Sequence, residues 1–197
     1  MPRNYLFTKG QIVEIGLQLI REKGMTALTA RALGEKMGTS SKPIFSLFKN
    51  MEELKEEILV SADNLYQMYL QREMTAGKYS PYKASGMAYI RFAREEKHLF
   101  ELLFMRNRSQ EEIKSGKELK QIISIISEST GMSKKTAELF HLQMWIYVHG
   151  IATMIVTSYL NFEEAIISQM LSDIYNSLRL YYSDMNNTKV TEDVWKQ

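Results

Sequence analysis

The run from Thr29 to Lys49, TARALGEKMGTSSKPIFSLFK, leaves a chain little choice but two short helices crossing at a tight turn. Thr29 offers a side-chain oxygen to the free amides of a helix start, and Leu28 before it can pack on Leu33 one turn in. Gly38 follows Met37 where the backbone must turn left-handed, and Thr39 or Ser40 is then expected to cap the next helix. Gly34 carries no side chain on the inner face, so the second helix can approach closely, with Ile44, Leu47 and Phe48 as apolar contacts. Ser40, Ser41, Lys42, Phe45 and Lys49 are left facing outward. The same hairpin also occurs in helical proteins that never touch nucleic acid.

Charge separates the two possibilities. Residues 1–50 hold eight Lys and Arg against three Glu, a net +5, while the remaining 147 residues carry −3. A basic head on a faintly acidic body is the asymmetry expected where one end meets phosphate.

The chain has no cysteine, which excludes disulfides and thiolate chemistry and leaves a zinc site only three histidines and the carboxylates. No metal or cofactor is expected. The segment MPRNYLFTKGQ lacks the apolar run of a secretion signal, and no stretch is expected to supply the roughly 20 apolar residues that span a bilayer. A cytoplasmic location is therefore expected. The longest uncharged run, Met144 to Asn161, includes His149, Thr153, Thr157 and Ser158, and fits a buried helix better than a lipid-facing one. Helical spacing of apolar residues recurs from end to end, so the expected fold class is all-α.

Thr8 and Gln11 form a capping box, and Gly24 ends the helix they open, whose apolar face is Ile12, Ile15, Leu19 and Ile20. That face is expected to cover the hairpin and complete a three-helix domain over 1–50. Asn50 and Glu53 open a fourth, connecting helix over 51–74, with Leu54, Ile58, Ala62, Leu65 and Met68 on one stripe to about Gln71. The breaker TAGKYS starts a larger helical domain over 75–185, with helices at Pro81–Glu96, Lys97–Met105, about Ser109–Ser129, Ser133–Leu160 and Phe162–Asp184. The longest would run roughly 40 Å at about 1.5 Å per residue. A polar tail follows over 186–197.

Several of these residues together resemble the TetR/AcrR family of transcriptional regulators. The resemblance rests on Gly24, Thr29-Ala30-Arg31, Gly38-Thr39-Ser40 and Phe45-Ser46-Leu47-Phe48-Lys49, followed by Glu52, Glu53 and Leu54. A second stretch, Phe92-Ala93-Arg94-Glu95-Glu96 with His98-Leu99-Phe100, and later Trp145 with Val148-His149-Gly150, looks like the WHG type of ligand-binding domain. The resemblance implies a helix-turn-helix DNA-binding domain followed by a regulatory and dimerisation domain. Phe45 stands where most members carry tyrosine, and Met51 replaces a common lysine. Both departures weaken phosphate contacts more than the fold.

On this reading the helix near Ser41 to Phe48 enters the major groove, where only its leading, outward side chains reach base edges. Ser40, Ser41, Lys42 and Phe45 are the expected reading face, Lys42 donating to guanine and Phe45 touching a thymine methyl. Arg31 matches a family position that reaches a base or phosphate, and Lys9, Thr29 and Lys49 are expected to grip phosphates. For Lys9 and Lys49 a solvated surface lysine is the alternative, and for Phe45 core packing.

In the body, Tyr89, Phe92, Phe100, Phe104, Trp145 and His149 are candidate linings of an effector pocket, with His149 beside Trp145 as its polar handle; plain core packing is the alternative for most. Ile167, Met170, Leu171, Ile174 and Leu178 form a stripe on the last helix that could seal a homodimer, as the family pairs its last two helices. Core packing within one chain is again the alternative.

The expected function is that of a dimeric repressor of a palindromic operator in double-stranded DNA, released by a small apolar or amphipathic effector, with no membrane partner. A DNA-bound adaptor acting through protein partners is the alternative. An enzyme is not expected, for want of a cysteine nucleophile, a phosphate-cradling glycine loop, or a histidine with an evident carboxylate partner nearby in sequence.

Overall fold

Helix signals of the kinds just described recur along the chain, and the computed structural model, which describes residues 7–107 and 117–184, is all-α among those residues. The helices are α1 (Lys9–Lys23), α2 (Ala30–Lys36), α3 (Lys42–Leu47), α4 (Met51–Thr75), α5 (Pro81–Glu95), α6 (Lys97–Phe104), α7 (Lys117–Thr130), α8 (Lys134–Val156) and α9 (Glu164–Asp184). A short 3-10 turn, Met25–Ala27, joins α1 to α2.

The chain divides into two compact units. One contains residues 1–71 and 91–106; the other contains 72–90 and 107–197. Both α4 and α5 therefore contribute residues to each unit.

In the first unit α1 buries Ile12, Val13, Leu17, Leu19 and Ile20. Leu28, Leu33, Ile44 and Phe48 complete the core of the small domain, and Leu54, Ile58 and Ala62 extend it onto α4. Met68, expected on that stripe, is 65 % exposed instead. Gly16 lets α1 and α4 approach, because a methyl group there would fall 2.5 Å from Ile58 Cδ1. The 91–106 segment adds Phe92, Leu99, Phe100, Leu102 and Leu103. Phe92 and Phe104 meet edge to face, and Tyr66 of α4 packs on both with centroids 5.4 and 5.3 Å away.

In the second unit the core runs along α8, which buries Ala137, Phe140, Met144, Val148, Ile151, Ala152 and Val156. Phe140 packs edge to face on Tyr175 of α9, and Ile123, Ile126 and Met132 close the other side. Lys78 Nζ bonds Glu164 Oε1 at 2.7 Å, tying the loop before α5 to the start of α9.

Three helix ends and the apolar length of one helix differ from expectation. The first is at α8, which stops at Val156 rather than Leu160, because Ser158 turns left-handed at φ 57° and Tyr159 N–H returns to Met154 O at 3.0 Å. With 23 residues it is about 35 Å long. Next, α9 begins at Glu164 and not Phe162, whereas α4 runs on to Thr75. The expected start near Ser109 lies outside the described residues. Finally, the expectation that no segment could span a bilayer is corrected: α8 is long and apolar enough to cross a membrane by length and composition, with a mean hydropathy of 1.4. A third of its most apolar stretch is buried within the protein.

Candidate nucleic-acid interface

The small domain is built from its caps. Thr8 Oγ1 accepts Gln11 N–H at 3.2 Å while Gln11 Oε1 accepts Thr8 N–H at 2.8 Å, so the capping box opens α1 as the sequence indicates. Gly24, at φ 79°, ends it with its N–H on Ile20 O. Thr29 Oγ1 caps α2 by accepting Ala32 N–H at 3.1 Å. Gly38 takes φ 67°, and Thr39 N–H reaches back to Gly34 O at 2.9 Å. A side chain at Gly34 would lie only 3.0 Å from Thr39 O and the Ser40 carbonyl carbon, so the close turn favours glycine there.

The start of α3 corrects one expectation. The cap position falls on Ser41, in a helical conformation and without a side-chain cap bond, while Ser40 Oγ accepts Lys42 N–H at 3.4 Å and Pro43 lies inside the first turn. Proline needs no partner for a missing N–H at that position, which lowers the demand for a capping oxygen.

The two faces of α3 are cleanly divided. Ile44 and Phe48 are buried, whereas Phe45 is 51 % exposed and Ser40, Lys42 and Lys49 face outward with Ser41 half-buried. Core packing is thus not the role of Phe45. Arg31, on α2, projects into solvent and holds Glu35 through its Nε at 2.9 Å, a one-turn pair of the kind that exchanges readily for another anion. Lys9 Nζ bonds Glu53 Oε1 at 2.7 Å and lies 4.8 Å over the Phe48 ring, joining the first residue of α1 to the end of α3 and the first turn of α4. Thr29 is exposed, but its hydroxyl is occupied by the cap.

At the α4 start Asn50 Oδ1 accepts Glu53 N–H at 2.9 Å, and Glu53 Oε2 accepts Lys49 N–H at 2.7 Å. The Lys9 ammonium, with the Lys49 amide, holds the Glu53 carboxyl below the usual carboxylate range.

A second joint escaped the sequence reading. Arg21, in the last turn of α1, grips the buried Glu96 through Nε and Nη2, and Tyr69 of α4 donates to Glu95 at 2.9 Å and to Glu96 at 3.4 Å. The four residues span 75 positions, and no local periodicity marks them as partners. A surface cavity of about 320 Å³ also lies in this unit, its lining including Met25, Leu59, Leu102, Met105, His98 and Glu101.

The structure distributes the six candidate pocket residues over two clusters. Phe92, Phe100 and Phe104 belong to the first unit, where Phe92 and Phe100 are fully buried core. Tyr89, Trp145 and His149 belong to the second: Tyr89 Oη lies 2.9 Å from His149 Nδ1, and the Trp145 ring stacks on the imidazole at 5.5 Å and 20°. One helical turn-pair earlier, Tyr82 Oη lies 3.0 Å from His141 Nδ1. Burial pushes both imidazoles down, His141 to about 4.

Part of the expected dimer stripe is covered within its own chain. Ile167 and Leu171 are buried inside their own chain, and Ile174 and Leu178 pack on the cluster around Phe140 and Tyr182. Ile167 and Leu171 are thus covered by their own chain, whereas Met170, Ile174 and Leu178 stay partly exposed. The apolar residues that α9 does expose are Ile166, Leu180 and Tyr181, about a quarter turn away around the helix. Finally, the view that no histidine has a local carboxylate partner is corrected: His98 Nδ1 meets Glu101 Oε2 at 2.8 Å, one turn along α6.

Two family models match the chain. A family model described as bacterial regulatory proteins, tetR family, matches residues 12–58, and one described as the tetracyclin repressor-like C-terminal domain matches residues 82–173. The second description does not name the WHG type. Among curated proteins, none matches the sequence.

Proposed function

Because this chain belongs to the TetR family and is a transcriptional regulator, we propose that it is a homodimeric, non-enzymatic repressor, acting in the cytoplasm and released from its operator by a small amphipathic effector. The observation that carries the reading is the division of α3. Ile44 and Phe48 anchor the helix in the head, so that Lys42 and Phe45 stand out on a rigid element with a net +5 domain behind them.

In this reading Lys42 donates to a guanine edge, Phe45 covers a thymine methyl, and Ser40 and Ser41 complete the reading face. Arg31 leaves Glu35 for a phosphate or base, while Lys9, Thr29 and Lys49 lie along the backbone. Two heads are required, since one six-residue helix reads too few base pairs for operator-level selectivity. The second copy docks on the exposed side of α9, through Ile166, Met170, Leu180 and Tyr181.

The effector is read by the half-exposed Trp145 ring and His149, with Tyr89 fixing the imidazole. An effector shifts the operator equilibrium only by its differential affinity for the DNA-bound and free forms. Sedimentation equilibrium of the chain with a selected duplex tests the assembly. Two chains per duplex are expected, and a single 22.9 kDa chain per duplex overturns it.

A further inference from the structure

We infer that Glu53 is a positioning residue for DNA reading, its carboxylate setting the pose of the end of α3; this rests on the proposed reading of the head. One carboxylate makes two bonds at this corner. Glu53 Oε2 accepts the N–H of Lys49, the residue that follows the α3 cap Phe48, and Oε1 takes the ammonium of Lys9, which itself lies over the Phe48 ring. The helix start of α4 is already served by Asn50 Oδ1 on Glu53 N–H. The reach of Glu53 back to Lys49 is therefore additional, and it fixes the chain where α3 leaves the core.

Placed between two lysines that grip phosphate, an acid weakens attraction to DNA. A carboxylate that only repels and one that positions predict opposite consequences when its length and its charge are changed separately. Glu53→Asp keeps the charge and one methylene fewer, so its carboxylate cannot hold Lys49 N–H and Lys9 together. Glu53→Gln keeps the length and an oxygen acceptor for Lys49 N–H, and loses the charge.

The experiment is anisotropy titration of the full chain with a selected duplex and with random duplex, across a salt series. For Glu53→Asp the ratio of selected to random affinity is expected to fall about tenfold, at an unchanged salt slope. For Glu53→Gln the ratio is expected to stay within about threefold of the parent, with a salt slope steeper by up to one as Lys9 is freed. Thermal melting of both variants separates unfolding from mispositioning. An unchanged ratio in Glu53→Asp together with tighter binding to both duplexes in Glu53→Gln overturns the inference alone. A parent chain that prefers no duplex overturns the reading of the head, and this inference with it.

Discussion

Arg21 and Glu96 form a two-point ion pair across 75 residues of sequence in which the two partners are unequally buried: the Glu96 side chain is 5 % exposed and that of Arg21 is 46 %. Removing Arg21 strands a buried carboxylate beside Tyr69, whereas removing the charge of Glu96 releases a guanidinium that water can solvate. Arg21→Ala is therefore expected to destabilise the first unit by about 2–4 kcal/mol and Glu96→Gln by about 1–2 kcal/mol. Urea unfolding of both variants checks the order, and a larger loss in Glu96→Gln contradicts it.

The turn between α2 and α3 depends on one hydrogen atom. Gly34→Ala sets a methyl 3.0 Å from turn backbone, which cannot swing aside as a side-chain end can. A loss of about 1–3 kcal/mol is expected, together with weakened duplex binding. Gly10→Ala meets nothing within 4 Å on the exposed face of α1 and should stabilise by about 0.5–1 kcal/mol. Equal melting temperatures for the two variants would show that Gly34 is not needed for the close approach.

On α3, base reading and stability should separate. Lys42→Ala is expected to cost about 1–3 kcal/mol in binding to a selected duplex and to relax one base preference, with melting unchanged. Lys49→Ala should weaken all duplexes alike and flatten the salt dependence. Phe45→Ala, at an exposed position, should leave stability within about 0.5 kcal/mol and lower binding. Binding untouched in all three variants contradicts the docking.

Acid should destabilise the second unit through its histidines. His141 is held neutral, its value pushed down by burial from 6.5 to about 4, and His149 shifts in the same direction. The unfolded chain thus binds more protons between about pH 6.5 and 4. For His141, stability from this burial is fully present above 6.5 and lost as pH falls through that window, by up to about 1.4 kcal/mol per pH unit. His141→Gln should lessen the slope of unfolding free energy against pH there, and an identical slope removes this histidine from the account.

Local signals carried much of the fold, and distant partnerships did not. Thr8 with Gln11, Thr29, Gly24 and Gly38 each act within four residues, so the capping box, the α2 cap and both left-handed glycines are readable in order along the chain. The α3 cap position is ambiguous in sequence because Thr39, Ser40 and Ser41 all offer oxygens; the position falls on Ser41 while Ser40 serves the Lys42 amide. The bounds of α8 turned on Ser158, a serine in a conformation that sequence associates with glycine. Periodicity found the apolar stripe of α9 but not which neighbour covers it, so Ile167 and Leu171 were assigned to a partner when their own chain buries them. Helical spacing marks the six aromatic and histidine residues but not that Phe92, Phe100 and Phe104 fall in one unit and Tyr89, Trp145 and His149 in the other. The Arg21–Glu96 joint had no marker, since charged residues that far apart pair only through the fold.

The central claim is that the basic head reads base sequence as one of a symmetric pair. Selection of bound duplexes from random DNA at a stated salt concentration tests it most directly. The account predicts enrichment of an inverted repeat whose half-sites are centred about one helical turn, roughly 34–36 Å, or a multiple of it apart. Recovery of duplexes with no shared sequence, bound no better than random competitor, would contradict it.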